Sequence, residues 1–157
     1  MLELVNKLIE MKKTIASMES CTGGGFANAV TNIPGASDIL KFSAVTYSNE
    51  FKEKMGVKKE TIEEYSVYSM EVAKEMSKQI SEFANADYGI GITGKLMKQD
   101  KANMHGSDNL VYVSIYDKQK DSYHGLSIEV SKETRIENKE FVIKLIVMEL
   151  LKIINYY

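Results

Sequence analysis

The sequence predicts an α/β fold, a three-layer α/β/α sandwich built on a mixed β-sheet. Two observations carry this. Helical and strand-like hydrophobic patterns alternate along the chain, which is the signature of strands covered by helices. Near the end, the strand-like runs Leu110 to Tyr116 and Tyr123 to Val130 are joined by the polar link Asp117-Lys118-Gln119-Lys120-Asp121, as in a hairpin. Crossovers give parallel pairs and a hairpin gives an antiparallel one, so the sheet is mixed.

Taken in order, Leu2, Val5, Leu8, Ile9 and Lys12 form a helical stripe, and Thr14 to Met18 read as a short strand. Glu19 to Gly25 follow as a turn, and Phe26 to Val30 look helical. Ile33-Pro34-Gly35-Ala36-Ser37 is a further turn, with Ser37 or Asp38 placed to cap a short helix. Phe42 to Tyr47 are rich in β-branched and aromatic residues and predict a strand ending at Tyr47. Asn49 is placed to cap a helix to about Met55, which Gly56 stops. Ser69 caps the next helix, with Val72, Met76, Ile80 and Phe83 on its inner face. Tyr88 to Thr93 predict a buried strand, Gly94 to Asp108 a loop, and Glu133 to Ile154 a long amphipathic helix. The methionines fall mostly at helical spacing and read as core.

Bulk properties narrow the function. The 157 residues suit one domain spanning 1–157. A chain of this size buries roughly 70% of its unfolded surface and needs no staple to fold. Its one cysteine, Cys21, excludes an internal disulfide and fits a reducing, cytoplasmic setting. A formal charge of −2 gives no sign of the basic face that nucleic-acid binding requires. The start, Met1-Leu2-Glu3-Leu4-Val5-Asn6-Lys7, is interrupted too early for a signal peptide, and Lys144, Glu149 and Lys152 break the longest apolar stretch, so no membrane partner is expected. His105 and His124 lack ligand-like companions, and no metal site is expected.

The chemistry concentrates in Glu19-Ser20-Cys21-Thr22-Gly23-Gly24-Gly25. Three glycines at a strand-to-helix junction allow a ligand close to the backbone, and the free amides of the helix start favour an anion. Ser20 and Thr22 add hydroxyls. The same residues also read as a helix cap around a tight turn. Tyr47 and Lys52 follow a second strand end, and adjacent parallel strand ends bring Ser20, Tyr47 and Lys52 to one crevice. Serine needs a base to act as a nucleophile, which a neutral lysine supplies, and tyrosine can relay a proton or donate to an oxyanion. On spacing alone such a lysine is ordinarily solvated. Cys21 reads as a small buried hydrophobe. Gly89-Ile90-Gly91-Ile92-Thr93-Gly94 matches a dinucleotide fingerprint only in letters. Its glycines lie inside a strand, where they admit close packing or a ligand.

Glu19 to Gly24, Ile33 to Ser37, Val45 to Lys52 and Met55-Gly56-Val57 together resemble the CinA C-terminal domain family over nearly the whole chain. The resemblance implies a nicotinamide-nucleotide amidohydrolase. Such an enzyme converts nicotinamide mononucleotide to nicotinic acid mononucleotide and ammonia, with no cofactor or metal. It implies Ser20, Tyr47 and Lys52 as catalytic residues, and Glu19, Thr22, Gly23, Gly24, Thr93, Gly94 and Arg135 as substrate contacts. The partner implied is a small-molecule nucleotide. A homo-oligomer is expected by analogy with α/β sheets that pair near the active crevice.

The chain departs from the family pattern twice. Gly94-Lys95-Leu96-Met97-Lys98 stands where the family has Gly-x-Ala-Gly-Pro, a wall of the nucleotide pocket. Glu133-Thr134-Arg135 stands for Gly-Asp-Arg, so only Arg135 is kept. The altered loop is expected to be mobile, with Lys95, Lys98 and Lys101 adding positive charge near the pocket mouth. Three classes follow: an amidohydrolase, a catalytically weak nucleotide-binding or sensing module, and an interaction domain, since family members often occur fused to a second domain.

Overall fold

Alternation of side-chain direction along each strand sets the layers of this domain. The computed structural model describes residues 1–97 and 106–156. Among these, the order is α1 (Leu2–Met11), β1 (Ile15–Glu19), α2 (Gly25–Thr31), a 3-10 turn (Ala36–Asp38), β2 (Leu40–Val45), α3 (Asn49–Lys54), α4 (Lys59–Tyr65), α5 (Met70–Ala84), β3 (Tyr88–Gly94), β4 (Leu110–Asp117), β5 (Ser122–Glu129) and α6 (Arg135–Asn155). The sheet runs β2-β1-β3-β4-β5, with β1 parallel to β2 and β3, and with β4 antiparallel to β3 and β5. This is the mixed three-layer α/β sandwich that the sequence predicts.

One face of the sheet packs Ile15, Ile90, Ile92, Val111 and Val113 against Leu4 and Leu8 of α1, Phe26 and Val30 of α2, and Val142, Ile146 and Leu150 of α6. The other packs Ala16 and Met18 against Val72, Met76 and Ile80 of α5. Residues of one strand thus reach opposite cores because successive side chains point to opposite faces.

Gly89 and Gly91 lie on the α5 side of β3. A Cβ on Gly89 would stand 1.9 Å from the Ser77 carbonyl oxygen, and one on Gly91 would stand 2.3 Å from that of Ala73. The two glycines therefore exist for close helix–sheet packing, and of the two readings open to the sequence the ligand falls away.

Several boundaries differ from the sequence reading for local reasons. β2 ends at Val45, so Tyr47 lies in the loop beyond it. Ser48, not Asn49, caps α3, its hydroxyl accepting from the Phe51 amide at 3.3 Å. Gly35, with φ +87°, opens the 3-10 turn in place of a side-chain cap from Ser37 or Asp38. The cap of α5 by Ser69 is present, the Val72 amide donating to it at 3.2 Å. Phe83 is exposed on the last turn of α5 and packs its ring on Phe42 of edge strand β2, at 5.2 Å between centroids. The α6 helix starts at Arg135, where Thr134 and Glu137 form a reciprocal capping box. α4 has no buried residue and hence no apolar stripe to announce it. It is tied to α5 through Glu75, which accepts from the Lys58 amide and the Thr61 hydroxyl.

Asp87 fastens the start of β3 to that of β1. Its carboxylate accepts from the Thr14 amide at 2.8 Å, the Thr14 hydroxyl at 2.9 Å and the Lys13 ammonium at 3.0 Å. Partial burial raises the carboxyl pKa, but the bonds from Thr14 and Lys13 outweigh it and hold the group below its ordinary value. A depressed folded-state pKa adds stability above the unfolded value of about 4, and that stability is lost as pH falls through the folded value. Asp87→Asn is expected to cost about 1–2 kcal/mol at pH 7. Urea unfolding at pH 7 and pH 3 checks this, with the gap between wild type and variant narrowing at the lower pH.

Candidate active site

The topology opens a crevice at Ser20. From β1 the chain crosses through α2 on one face of the sheet to β2, and from β2 it returns through α5 on the other face to β3. Neighbouring strands β1 and β2 thus send their following segments to opposite faces, and ligands of open α/β sheets bind where this happens. Ser20 follows β1, and the loop carrying Tyr47 and Lys52 follows β2. The Thr46 amide donates to the Glu19 carbonyl at 2.8 Å and the Ser20 amide to that of Ile92 at 3.0 Å, so Ser20 is braced from both neighbouring strands.

Lys52 is 1% exposed although it lies on a six-residue helix whose other residues are largely exposed. Its ammonium donates to Ser20 Oγ at 3.0 Å and to the Thr46 carbonyl at 2.6 Å. Ser20 is itself 7% exposed. A lysine turned inward onto a serine hydroxyl is the arrangement a serine nucleophile with a lysine base requires. Tyr47 stands 64% exposed beyond the pair, at the outer side of the same loop.

Other candidates have their side chains committed to the fold. Glu19 is buried, and its carboxylate accepts from Thr22 Oγ1 at 2.7 Å, the Phe26 amide at 2.9 Å and the Ala27 amide at 3.1 Å. The anion at the start of α2 is therefore the chain's own glutamate. The amides of Phe26 and Ala27, which the sequence reading counted among the free donors of a phosphate cradle, are thus satisfied by that carboxylate, and its negative charge disfavours a second anion beside it. The Thr22 hydroxyl is spent on Glu19 in the same bond. The Thr93 hydroxyl is buried and donates to the Val67 carbonyl at 2.9 Å. Gly94 is required by β4, since a Cβ there would stand 2.5 Å from Val111 Cα. Gly23 and Gly24 turn the chain with φ of +59° and +90°, values that side chains other than glycine's rarely adopt.

Lys95 also differs from expectation. It does not stand at the mouth as a mobile cation. It is buried, 3.4 Å from Asp108 Oδ1, with its ammonium 5.0 Å from the centre of the Tyr68 ring. Lys98 and Lys101, and the expectation of a mobile loop, lie outside the described residues.

Cys21, beside the serine, is buried, and burial above all pushes its thiol up to about 12. The charges of Lys52 and Arg135 pull weakly the other way, which puts Arg135 in the neighbourhood of this turn. Iodoacetamide at pH 8 is expected to leave the folded protein unmodified and to alkylate Cys21 rapidly in denaturant, as read by mass spectrometry. A native adduct would show an accessible thiolate instead.

The sequence reading missed Lys139. An added Cβ on Gly23 would lie 3.5 Å from the Lys139 ammonium, and one on Gly25 would lie 3.1 Å from Ile143 Cδ1. Arg135, Lys139 and Ile143 recur at every fourth residue of α6, on one stripe that runs over the Ser20–Gly25 turn. That spacing was readable in the sequence, but its destination was not. A groove of about 610 Å³ continues from Gly25 and Lys139 between α2 and α6 and contains none of Ser20, Tyr47 or Lys52. Among the described residues no three His, Cys, Asp or Glu side chains gather as metal ligands would, and no helix is long and apolar enough to cross a membrane.

A three-layer α/β domain on a mixed sheet, with a buried serine–lysine pair where two parallel strands part, is the class that the fold and this site define. The chain belongs to the CinA C-terminal domain family, whose model matches residues 1–152. It is 38% identical over 133 residues to a CinA-like protein of Endomicrobium trichonymphae, a match covering 81% of this chain and 31% of that protein. Its fold matches a CinA superfamily protein of Klebsiella pneumoniae with a TM-score of 0.91 at 20% identity, over 99% of this chain and 96% of that one. A competence/damage inducible protein of Agrobacterium tumefaciens matches with a TM-score of 0.83 at 24% identity, over 98% and 94% of the two chains. The chain spans 23% to 31% of the length of the first curated relatives it matches.

Proposed function

We propose that this domain hydrolyses the carboxamide of nicotinamide mononucleotide to nicotinic acid mononucleotide and ammonia. The observation that supports this most is the buried contact of 3.0 Å between Lys52 Nζ and Ser20 Oγ. The Thr46 carbonyl accepts from the same Nζ at 2.6 Å and holds it against the serine. Neutral Lys52 takes the Ser20 proton as Oγ attacks the carboxamide carbon. The lysine then gives that proton to the leaving nitrogen, and ammonia departs from a seryl ester. Water attacks the ester carbon, losing a proton through Lys52 to Ser20 Oγ, and the free carboxylate and serine result. Tyr47 donates to the oxyanion or relays a proton at the outer side of the crevice.

The test is ammonia release from nicotinamide mononucleotide by purified protein in the presence of a chelator. Turnover with equimolar nicotinic acid mononucleotide is expected. Activity that vanishes with the chelator and returns with zinc would reject the metal-free route.

A second reading, a nucleotide-binding module without turnover, is favoured by the end of β3. There Lys95 and Leu96 are buried where the family carries its glycine-rich turn. Thermal stabilisation by the mononucleotide without ammonia release would select it.

A further inference from the structure

If the start of α2 is neutralised by Glu19, a nucleotide's phosphate must find its counter-charge elsewhere around the Ser20 turn. Lys52 is turned inward on Ser20 and Thr46. Among the described residues, two cations of α6 stand near that turn. The Lys139 ammonium lies over Gly23, in ordinary van der Waals contact with the place a Cβ would take. Arg135 stands one helical turn before it on the same stripe, and its charge is felt at Cys21. Lys139 makes no hydrogen bond or ion pair among the described residues. Among the described residues, Arg135 reaches only the Leu96 carbonyl, at 3.5 Å. A pair of cations with no carboxylate partner among the described residues, next to a turn whose glycines leave the backbone bare, suits a phosphate monoester.

We propose that Lys139, with Arg135 one turn before it, holds the phosphate of the nucleotide substrate. Lys139 is then a specificity residue that selects the nucleotide over its nucleoside. The inference rests on the amidohydrolase reading for the identity of the nucleotide. It does not rest on it for the phosphate site.

The experiment compares wild type, Lys139→Met and Lys139→Arg. Steady-state kinetics are measured on nicotinamide mononucleotide and on the same nucleoside without its phosphate. For Lys139→Met, the ratio of kcat/KM for the nucleotide to that for the nucleoside is expected to fall at least about tenfold, through KM, and Lys139→Arg to restore most of it. An unchanged ratio, with both substrates affected equally or neither affected, overturns the proposal. If wild type turns over neither substrate, the amidohydrolase reading fails, and the phosphate site is judged by calorimetric titration with ribose 5-phosphate. Binding by wild type that is lost in Lys139→Met and kept in Lys139→Arg supports the site. Absent binding, or equal binding by wild type and Lys139→Met, overturns it.

Discussion

Ser20→Ala is expected to lower the rate of ammonia release from nicotinamide mononucleotide by about 10³-fold or more, with the fold intact. The Ser20 hydroxyl makes its one described side-chain contact with Lys52, so its loss costs only about 1 kcal/mol of stability. Lys52→Met is expected to reduce the rate by at least about 10²-fold, since no other described base contacts Ser20 Oγ. The methionine fills the buried space without a charge but leaves the Thr46 carbonyl unpaired, so a loss of about 1–3 kcal/mol should accompany it. Near-normal kcat in Ser20→Ala, with an unchanged circular-dichroism spectrum, would place the nucleophile elsewhere. Measuring kcat and thermal unfolding on the same preparations separates chemistry from folding.

The second large effect lies in the sheet. Gly91→Ala is expected to destabilise the domain by at least about 3 kcal/mol, and Gly89→Ala by more. An alanine methyl at position 91 would press on the Ala73 carbonyl oxygen and, at 2.7 Å, on the Ser77 amide. At position 89 it would press on the Ser77 carbonyl. These are backbone atoms within α5, so relief requires the helix to move off Ala16 and Met18 and to open that core. Against a total stability of about 5–15 kcal/mol, either change brings the chain close to unfolding at growth temperature. Gly125→Ala is the control. Its methyl would meet only the flexible end of Met70, at 3.0 Å, so a cost below about 1 kcal/mol is expected. Urea midpoints of the three variants, or their soluble fractions where unfolding is complete, test the ordering. Equal effects at positions 91 and 125 would show that α5 packs less closely on β3 than the geometry requires.

The sequence by itself determined the elements whose signal is local. Period-two and period-3.6 patterns mark β1, β3, the β4–β5 hairpin, α5 and α6, and Ser69 announces its helix, because each signal is carried by residues within one element. Resemblance added the family and singled out Ser20 and Lys52. Only the tertiary structure decided what those side chains touch. Ser20 and Lys52 lie 32 positions apart and meet because β1 and β2 are parallel neighbours whose following segments leave to opposite faces. Glu19 and Thr22 stand in the same short segment as Ser20 and carry the same promise in sequence, yet the path of α2 turns both inward to cap its own start. Lys95 reads as a surface charge until Asp108 and Tyr68 close around it. Gly89 and Gly91 imitate a nucleotide fingerprint until α5 is placed against them. Hydrophobic periodicity records which face of an element is buried, whereas the fate of a polar side chain depends on which distant backbone arrives beside it.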